Sequence, residues 1–262
     1  MKLDLEGRAF LVAGGTAGLG LGVACLLAEE GARVSICGRD PVRLEGALEV
    51  LRGHDPHARG MALDLRDGLA LERWVEESSR AFGRLDGLLV NAGGPPRGGL
   101  DAFDDAAWQD AWTLTLLSAV RLARAARPHL RDSGGGSILA VTSGSAREPI
   151  DSLLLSNVLR PGVAALMNSL SRTLAGEGIR CNSLAPGFID TERLRSLEAA
   201  MAREGRRSPA EQEARLCAEV PLGRYGRVDE FARAAVFLLS PASSYISGVQ
   251  VAVDGGRLRS LG

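Results

Sequence analysis

Short runs of consecutive apolar residues alternate along the chain with longer amphipathic stretches. The short runs are AFLVAG (9–14), RVSICG (33–38), ARGMALDL (58–65), LDGLLVNAG (85–93), GSILAVTS (136–143), IRCNSLAPG (179–187) and GVQVAVDGG (248–256). Bounded by Gly, Asp or Asn, they read as strands buried on both faces. Between them lie helical stretches such as GLGVACLLAEEGA, LALERWVEESSRAFG, AAWQDAWTLTLLSAVRLARAARPHL and RPGVAALMNSLSRTLAGEG. Several close on Gly, a common helix stop. Parallel strands need crossover connections, so this rhythm predicts a single α/β domain over residues 1–262, a doubly wound parallel sheet of seven strands with helices on both faces. The most irregular stretch is 188–228, charged and helix-prone with REGRRSPAEQ in its middle. It is long for an α/β connection and is expected to form a substrate loop or lid.

Composition narrows the function more than the fold. The formal charge of the 262 residues is -1, which gives no electrostatic case for nucleic acid or an anionic membrane as a partner. No apolar run reaches the roughly eighteen residues of a membrane span, and MKLDLEGRAF lacks the basic-then-apolar pattern of a signal peptide, so a cytoplasmic protein is expected. Cys25, Cys37, Cys181 and Cys217 show no CxxC spacing, and the histidines do not sit at ligand intervals near them. Free thiols and no metal site are therefore expected. Lys2 is the only lysine, and Tyr225 and Tyr245 are the only tyrosines. GC-rich codon usage is sufficient cause, yet the scarcity restricts the available proton chemistry.

The first predicted strand runs into AGGTAGLG, which places Gly14, Gly18 and Gly20 at GxxxGxG spacing, with Thr16 and Leu19 between them, just where strand gives way to helix. Without Cβ atoms the backbone turns sharply and approaches a pyrophosphate, to which the helix N-terminus offers free N–H groups. Within a βαβ unit this spacing points to a dinucleotide-binding Rossmann fold. An acid after the second strand would accept from a ribose 2′-OH, whereas an arginine pairs with a 2′-phosphate. Arg39 stands there and favours NADP(H), but the adjacent Asp40 keeps NAD(H) possible, and an ordinary exposed loop arginine is the bland alternative. Asp64 and Leu65 close the third predicted strand, and Asn91, Ala92 and Gly93 the fourth. Strand ends beside the switch point are where ligands sit in such sheets.

Taken in order, these segments resemble the short-chain dehydrogenase/reductase family over nearly the whole chain. AGGTAGLG matches its TGxxxGxG with Ala13 for Thr, VNAG (90–93) its NNAG, and Asp64 its adenine-contacting aspartate. LAPGFIDT (184–191), with Pro186, Gly187 and Ile189, resembles the segment bordering nicotinamide, and SGVQVAVDGG (247–256) the final strand. The resemblance implies an Asn-Ser-Tyr-Lys tetrad in which tyrosine is the acid or base, lysine lowers its pKa and holds ribose, and serine orients the carbonyl. Ser143 stands at the serine position. Thirteen residues on, where tyrosine is expected, stands Ser156; four further, Arg160 replaces lysine; and aligning Trp108 puts Thr115 at the asparagine. The LSNxxR segment is like that of a divergent subgroup labelled similar to 3-oxoacyl-carrier-protein reductase.

A serine hydroxyl is much less acidic than a phenol, and arginine is a poor proton shuttle. Three readings therefore stand. The first is an oxidoreductase with a rearranged proton path, Ser143 and Ser156 orienting a carbonyl or alcohol, Arg160 holding ribose or substrate oxygen, and water, Glu148 or Asp151 exchanging the proton. Glu148 and Asp151 are equally readable as solvated loop carboxylates. The second reading is a dinucleotide-binding or regulatory module without redox chemistry, and the third a lyase or hydratase step. The expected partners are a small-molecule substrate and further copies of the chain. The resemblance implies a tetramer or dimer through 103–130, 156–177 and 245–256.

Overall fold

In the computed structural model, which describes residues 2–260, seven parallel strands form one sheet in the order β3-β2-β1-β4-β5-β6-β7. The strands are β1 (Ala9–Ala13), β2 (Arg33–Gly38), β3 (Arg59–Ala62), β4 (Gly87–Val90), β5 (Gly136–Val141), β6 (Ile179–Pro186) and β7 (Gln250–Val253). The helices are α1 (Gly18–Glu29), α2 (Pro41–Arg52), α3 (Gly68–Phe82), α4 (Asp105–Trp112), α5 (Ser118–Asp132), α6 (Leu154–Thr173), α7 (Glu192–Glu204), α8 (Pro209–Ala218) and α9 (Val228–Leu239). The order reverses between β1 and β4, and this switch point leaves a crevice at the carboxyl ends of the strands.

Strand periodicity sorts the core into two layers. Along β1, Phe10 and Val12 face α1, α2 and α9, whereas Leu11 and Ala13 face α3, α5 and α6. A buried polar cluster beside the second layer is satisfied: Trp74 Nε1 donates to Ser35 Oγ at 3.0 Å, and Ser35 and Ser78 share a hydrogen bond of 2.8 Å.

Two expectations need correction. The third strand is not buried on both faces: Arg59, Gly60 and Ala62 are exposed, because β3 is an edge strand that pairs only with β2. The stretch expected as one long helix from 106 to 130 is interrupted by a π-turn, Thr113–Leu117, between α4 and α5. Such an extra-residue turn leaves a local mismatch in the i→i−4 ladder and is frequent at functional sites.

The 188–228 stretch is an α7–α8 hairpin with an apolar cluster of its own, in which Leu194, Leu216 and Tyr225 pack with Phe188, Leu197, Met201 and Cys217. Its two roots are stitched together: Asp190 N donates to Gly226 O (2.8 Å) and Gly226 N to Phe188 O (2.9 Å). Among the described residues no helix is long and apolar enough to cross a membrane, and no cluster of His, Cys, Asp or Glu has the makings of a metal site.

Candidate functional site

The glycine turn is locked by close approach. Gly14 has φ +59°, and a Cβ there would lie 2.5 Å from Asn91 O; a Cβ on Gly20 would collide with Gly14 O. Asn91 Nδ2 donates to that same Gly14 O at 3.1 Å, so the β4 end and the turn hold each other. Thr16 packs against Gly38, and Thr191 lies over Gly18.

Unlike five of the helices, α1 starts without a side-chain cap, as α6 also does behind Leu153. Asp40 caps α2, Asp67 α3, Asp104 α4, Thr191 α7 and Ser208 α8, each accepting from backbone N–H groups of the first turn. At α1 the cap position is Ala17, with no side-chain acceptor and no acid in the first turn. Its orphan N–H groups and positive dipole end are therefore left for an external anion, the electrostatic setting a pyrophosphate needs.

The same inspection separates Arg39 from Asp40. Asp40 Oδ1 accepts from Val42 N (2.9 Å) and Arg43 N (3.2 Å), so this carboxylate is occupied as a helix cap. Arg39 is exposed and makes no hydrogen bond or ion pair within the described residues. Asp64 is also engaged: both carboxylate oxygens accept from Arg66, at 2.7 to 3.0 Å, and Arg66 further bonds Asp110 at 2.6 Å. The Arg66 hydrogen bonds hold the Asp64 carboxyl below its usual range, with Arg39 adding a smaller pull. Leu65 and Ile189 are buried in the apolar layers, so only their backbone faces the crevice. Ala92 likewise contributes its carbonyl, whereas Gly93 is open, with nothing near its Cβ position. Gly187, after Pro186, abuts Asp254, whose Cα would be 2.6 Å from a Gly187 Cβ.

At the end of β5, Ser143 Oγ accepts from Ser145 N at 3.2 Å and is half-buried. Ser156, on α6, does not reach Ser143 directly; its hydroxyl shares a 2.9 Å hydrogen bond with Ser145. Both members of that pair are buried. Ser145 is absent from the sequence reading. Its signal was the i, i+2 repeat in TSGSA, readable only once β5 is known to stop at Val141.

Arg160 departs from its expected role. Its Nη1 donates to Val141 O (2.7 Å) and Nη2 to Ala92 O (3.2 Å), which stitches the ends of β4 and β5 from below. Full burial, with the Arg193 charge nearby, holds its pKa down at about 10. Thr115 lies in the π-turn, 2% exposed, and its Oγ1 has no partner. Glu148 ties the loop to the C-terminal segment: its Oε1 accepts from Arg259 N (2.7 Å) and Ser260 N (2.5 Å). Asp151 is exposed. Lys2 is exposed before β1, Tyr245 is exposed beside a cleft of about 540 Å³ at the amino ends of the strands, and Tyr225 is inside the α7–α8 cluster, donating to Glu198 at 3.2 Å. Burial and Glu198 push the Tyr225 phenol well above its usual range.

A second residue missing from the sequence reading is Arg193. From the first turn of α7 it reaches across to β4, where a methyl on Gly94 would collide with its Nη2. It has no ion-pair or hydrogen-bond partner among the described residues, and desolvation lowers its pKa. Arg160 and Arg193 thus stand near each other at the crevice with no carboxylate between them, an arrangement that favours a bound anion.

Comparison with known proteins supports the family and the fold. A family model described as enoyl-(acyl carrier protein) reductase matches residues 13–257. The chain is 33% identical over 252 residues to cis-4-hydroxycyclohexanecarboxylate dehydrogenase of Sinomonas cyclohexanicum, covering 95% of this chain and 96% of that one. It is 31% identical over 258 residues to a 3-oxoacyl-(acyl-carrier-protein) reductase of Chlamydia pneumoniae, covering 98% and 99%. Among solved structures, L-sorbose reductase of Gluconobacter frateurii in complex with NADPH and L-sorbose superposes with a TM-score of 0.95 at 28% identity, each chain covered completely.

Proposed function

The chain belongs to the short-chain dehydrogenase/reductase family, and from that premise we propose an NADP(H)-dependent oxidoreductase of carbonyl or alcohol substrates whose proton path differs from the family's tyrosine and lysine. The observation that carries the cofactor half is the uncapped start of α1 beside Gly14, Gly18 and Gly20, with Arg39 free while Asp40 is committed to α2. Relatives that reduce 3-oxoacyl groups or are solved with NADPH support the same assignment. The bound nicotinamide would supply or accept the hydride; the protein contributes placement and electrostatics.

The 2′-phosphate would be held by Arg39, the pyrophosphate by the α1 N-terminus and Arg193, and the nicotinamide half would lie along Asn91, Ala92, Gly93, Pro186 and Gly187. Ser143 accepts from a backbone N–H and keeps its own proton to donate to a substrate oxygen. Ser156 and Ser145 brace that loop, and Arg160 fixes the strand ends as a cation. With no phenol or lysine at the site among the described residues, the proton would come from water, for which the unpartnered Thr115 hydroxyl is a suited holder, or from the exposed Asp151. Loss of a positioned acid lowers rates by about 10² to 10⁴, so the enzyme is slow. The α7–α8 hairpin is the lid over this site. Val158 and Val249, exposed on α6 and before β7, and Tyr245 support a homo-oligomer.

Titration of the protein with NADPH and NADH, followed by nicotinamide fluorescence, tests the cofactor reading. Arg39→Ala weakens NADPH by about 10- to 100-fold, the worth of a charged hydrogen bond to phosphate, and leaves NADH within about twofold. Equal losses for both would remove Arg39 from the 2′-phosphate. Failure of either nucleotide to bind at millimolar concentration would overturn the proposal.

A further inference from the structure

Residues 254–260 do not run off into solvent; they fold back over the loop that carries Ser143. Asp254 accepts from Gly256 N (3.0 Å) and Leu258 N (2.8 Å), Glu148 accepts from Arg259 N and Ser260 N, and Leu222 N donates to Gly255 O (3.2 Å). These bonds fix the tail against both the 143–153 loop and the root of the lid. They also fix the one long cationic side chain that the tail directs inward, Arg257.

The Arg257 guanidinium is framed on three sides. It lies over the Phe188 ring, 4.3 Å from the centroid. Its Nη2 pairs with Glu219 at 3.2 Å. On the third side a methyl built on Gly144 would be 4.0 Å from Nη1, and Gly144 is the neighbour of Ser143. Among the described residues two of its three nitrogens lack a partner: Nε is buried with none, and Nη1 donates no hydrogen bond. An enclosed cationic N–H without an acceptor costs free energy comparable to a lost charged hydrogen bond. Arg97 repeats the pattern on the far end of the same loop. Its Nε and Nη2 donate to Ser152 Oγ (3.2 and 2.6 Å), and its Nη1 is buried without a partner. Two nearby carboxylates are already used, Glu148 by the tail and Glu219 by Arg257 itself.

We propose that the substrate is an anion, its carboxylate received by Arg257 while its carbonyl or alcohol oxygen lies at Ser143. The nearness of Gly144 to both groups specifies a compact acid, with few atoms between the reacting carbon and the charge. Arg97 adds positive potential at the other end of the loop. This deepens the oxidoreductase reading and rests on it for the reacting carbon, but not for the anion seat.

Matched acid and amide pairs test it: pyruvate with pyruvamide, acetoacetate with acetoacetamide, levulinate with levulinamide. On the NADPH-loaded protein at least one acid is expected to be turned over about tenfold or more faster, in kcat/KM, than its amide. Arg257→Gln removes that preference by lowering the acid alone, and Arg257→Lys keeps part of it. Glu219→Gln, which frees Arg257 from its only carboxylate partner among the described residues, shifts the preference further toward the acid; this variant moves in the opposite direction to a general loosening of the tail. If no pair is turned over, the oxidoreductase reading is decided by the broader panel of ketones, aldehydes and acyl thioesters, and calorimetry of the same acids and amides on the protein alone decides the anion seat. Equal affinity for acid and amide in the parent, or equal losses for both in Arg257→Gln, would overturn the proposal.

Discussion

At the residue scale, Ser156 and Arg160 are held by what surrounds them. Ser156 is paired with Ser145, and Arg160 is spent on two strand-end carbonyls, so neither is poised to exchange protons with a substrate. Restoring the family pair gives a direct contrast. Ser156→Tyr with Arg160→Lys is expected to raise the rate of carbonyl reduction by about 10- to 100-fold over the parent, within the usual worth of a general acid, whereas each single change leaves it flat or lower. A parent as fast as the double variant would show that an efficient proton donor is already present. The identities of these residues were legible from spacing alone. Their bonding was not, because Val141 and Ala92 lie 19 and 68 positions away from Arg160. Arg193 and Arg257 are illegible in the sequence for the same reason: each is one arginine among many until the fold sets it opposite Gly94 or Gly144.

At the scale of elements, the first βαβ unit was the most legible part, since turn, glycine spacing and helix start are contiguous in sequence. Gly20 and Asp40 separate its two requirements. Gly20→Ala puts a methyl into Gly14 O and is expected to abolish nucleotide binding together with a loss of stability. Asp40→Ala removes only the α2 cap, at about 1 kcal/mol, and is expected to leave the preference for NADPH over NADH unchanged. Thermal melts and nucleotide titration on both variants check this; a reversal of preference in Asp40→Ala would return the ribose contact to that carboxylate. The edge position of β3 and the π-turn at Thr113–Leu117 were not legible. Which strand is outermost depends on topology, and a one-residue helix insertion leaves the apolar pattern nearly unchanged.

For the whole molecule, the sheet with its two apolar layers is the rigid body and the α7–α8 hairpin is the part with its own small core. The hairpin is tied to the body by exposed pairs, notably Arg43 to Glu192 through two bonds of 3.0 Å, and such solvent-screened pairs contribute little. Opening is therefore easy, and nucleotide beneath α7 should resist it. Limited trypsin digestion is expected to cut first at Arg206 and Arg207, exposed between α7 and α8, and NADPH is expected to slow that cut several-fold. Cleavage indifferent to NADPH would disconnect the hairpin from the nucleotide site.

The central claim is that this chain uses bound NADPH for hydride transfer without a tyrosine acid. Single-turnover mixing of NADPH-loaded protein with a panel of ketones, aldehydes and acyl thioesters, followed at the nicotinamide absorbance, tests it most directly. The account predicts slow, complete oxidation of the bound NADPH by at least one member of the panel. Tight NADPH binding with no oxidation by any of them, even at protein in excess over cofactor, would contradict it and leave a nucleotide-binding protein without redox chemistry.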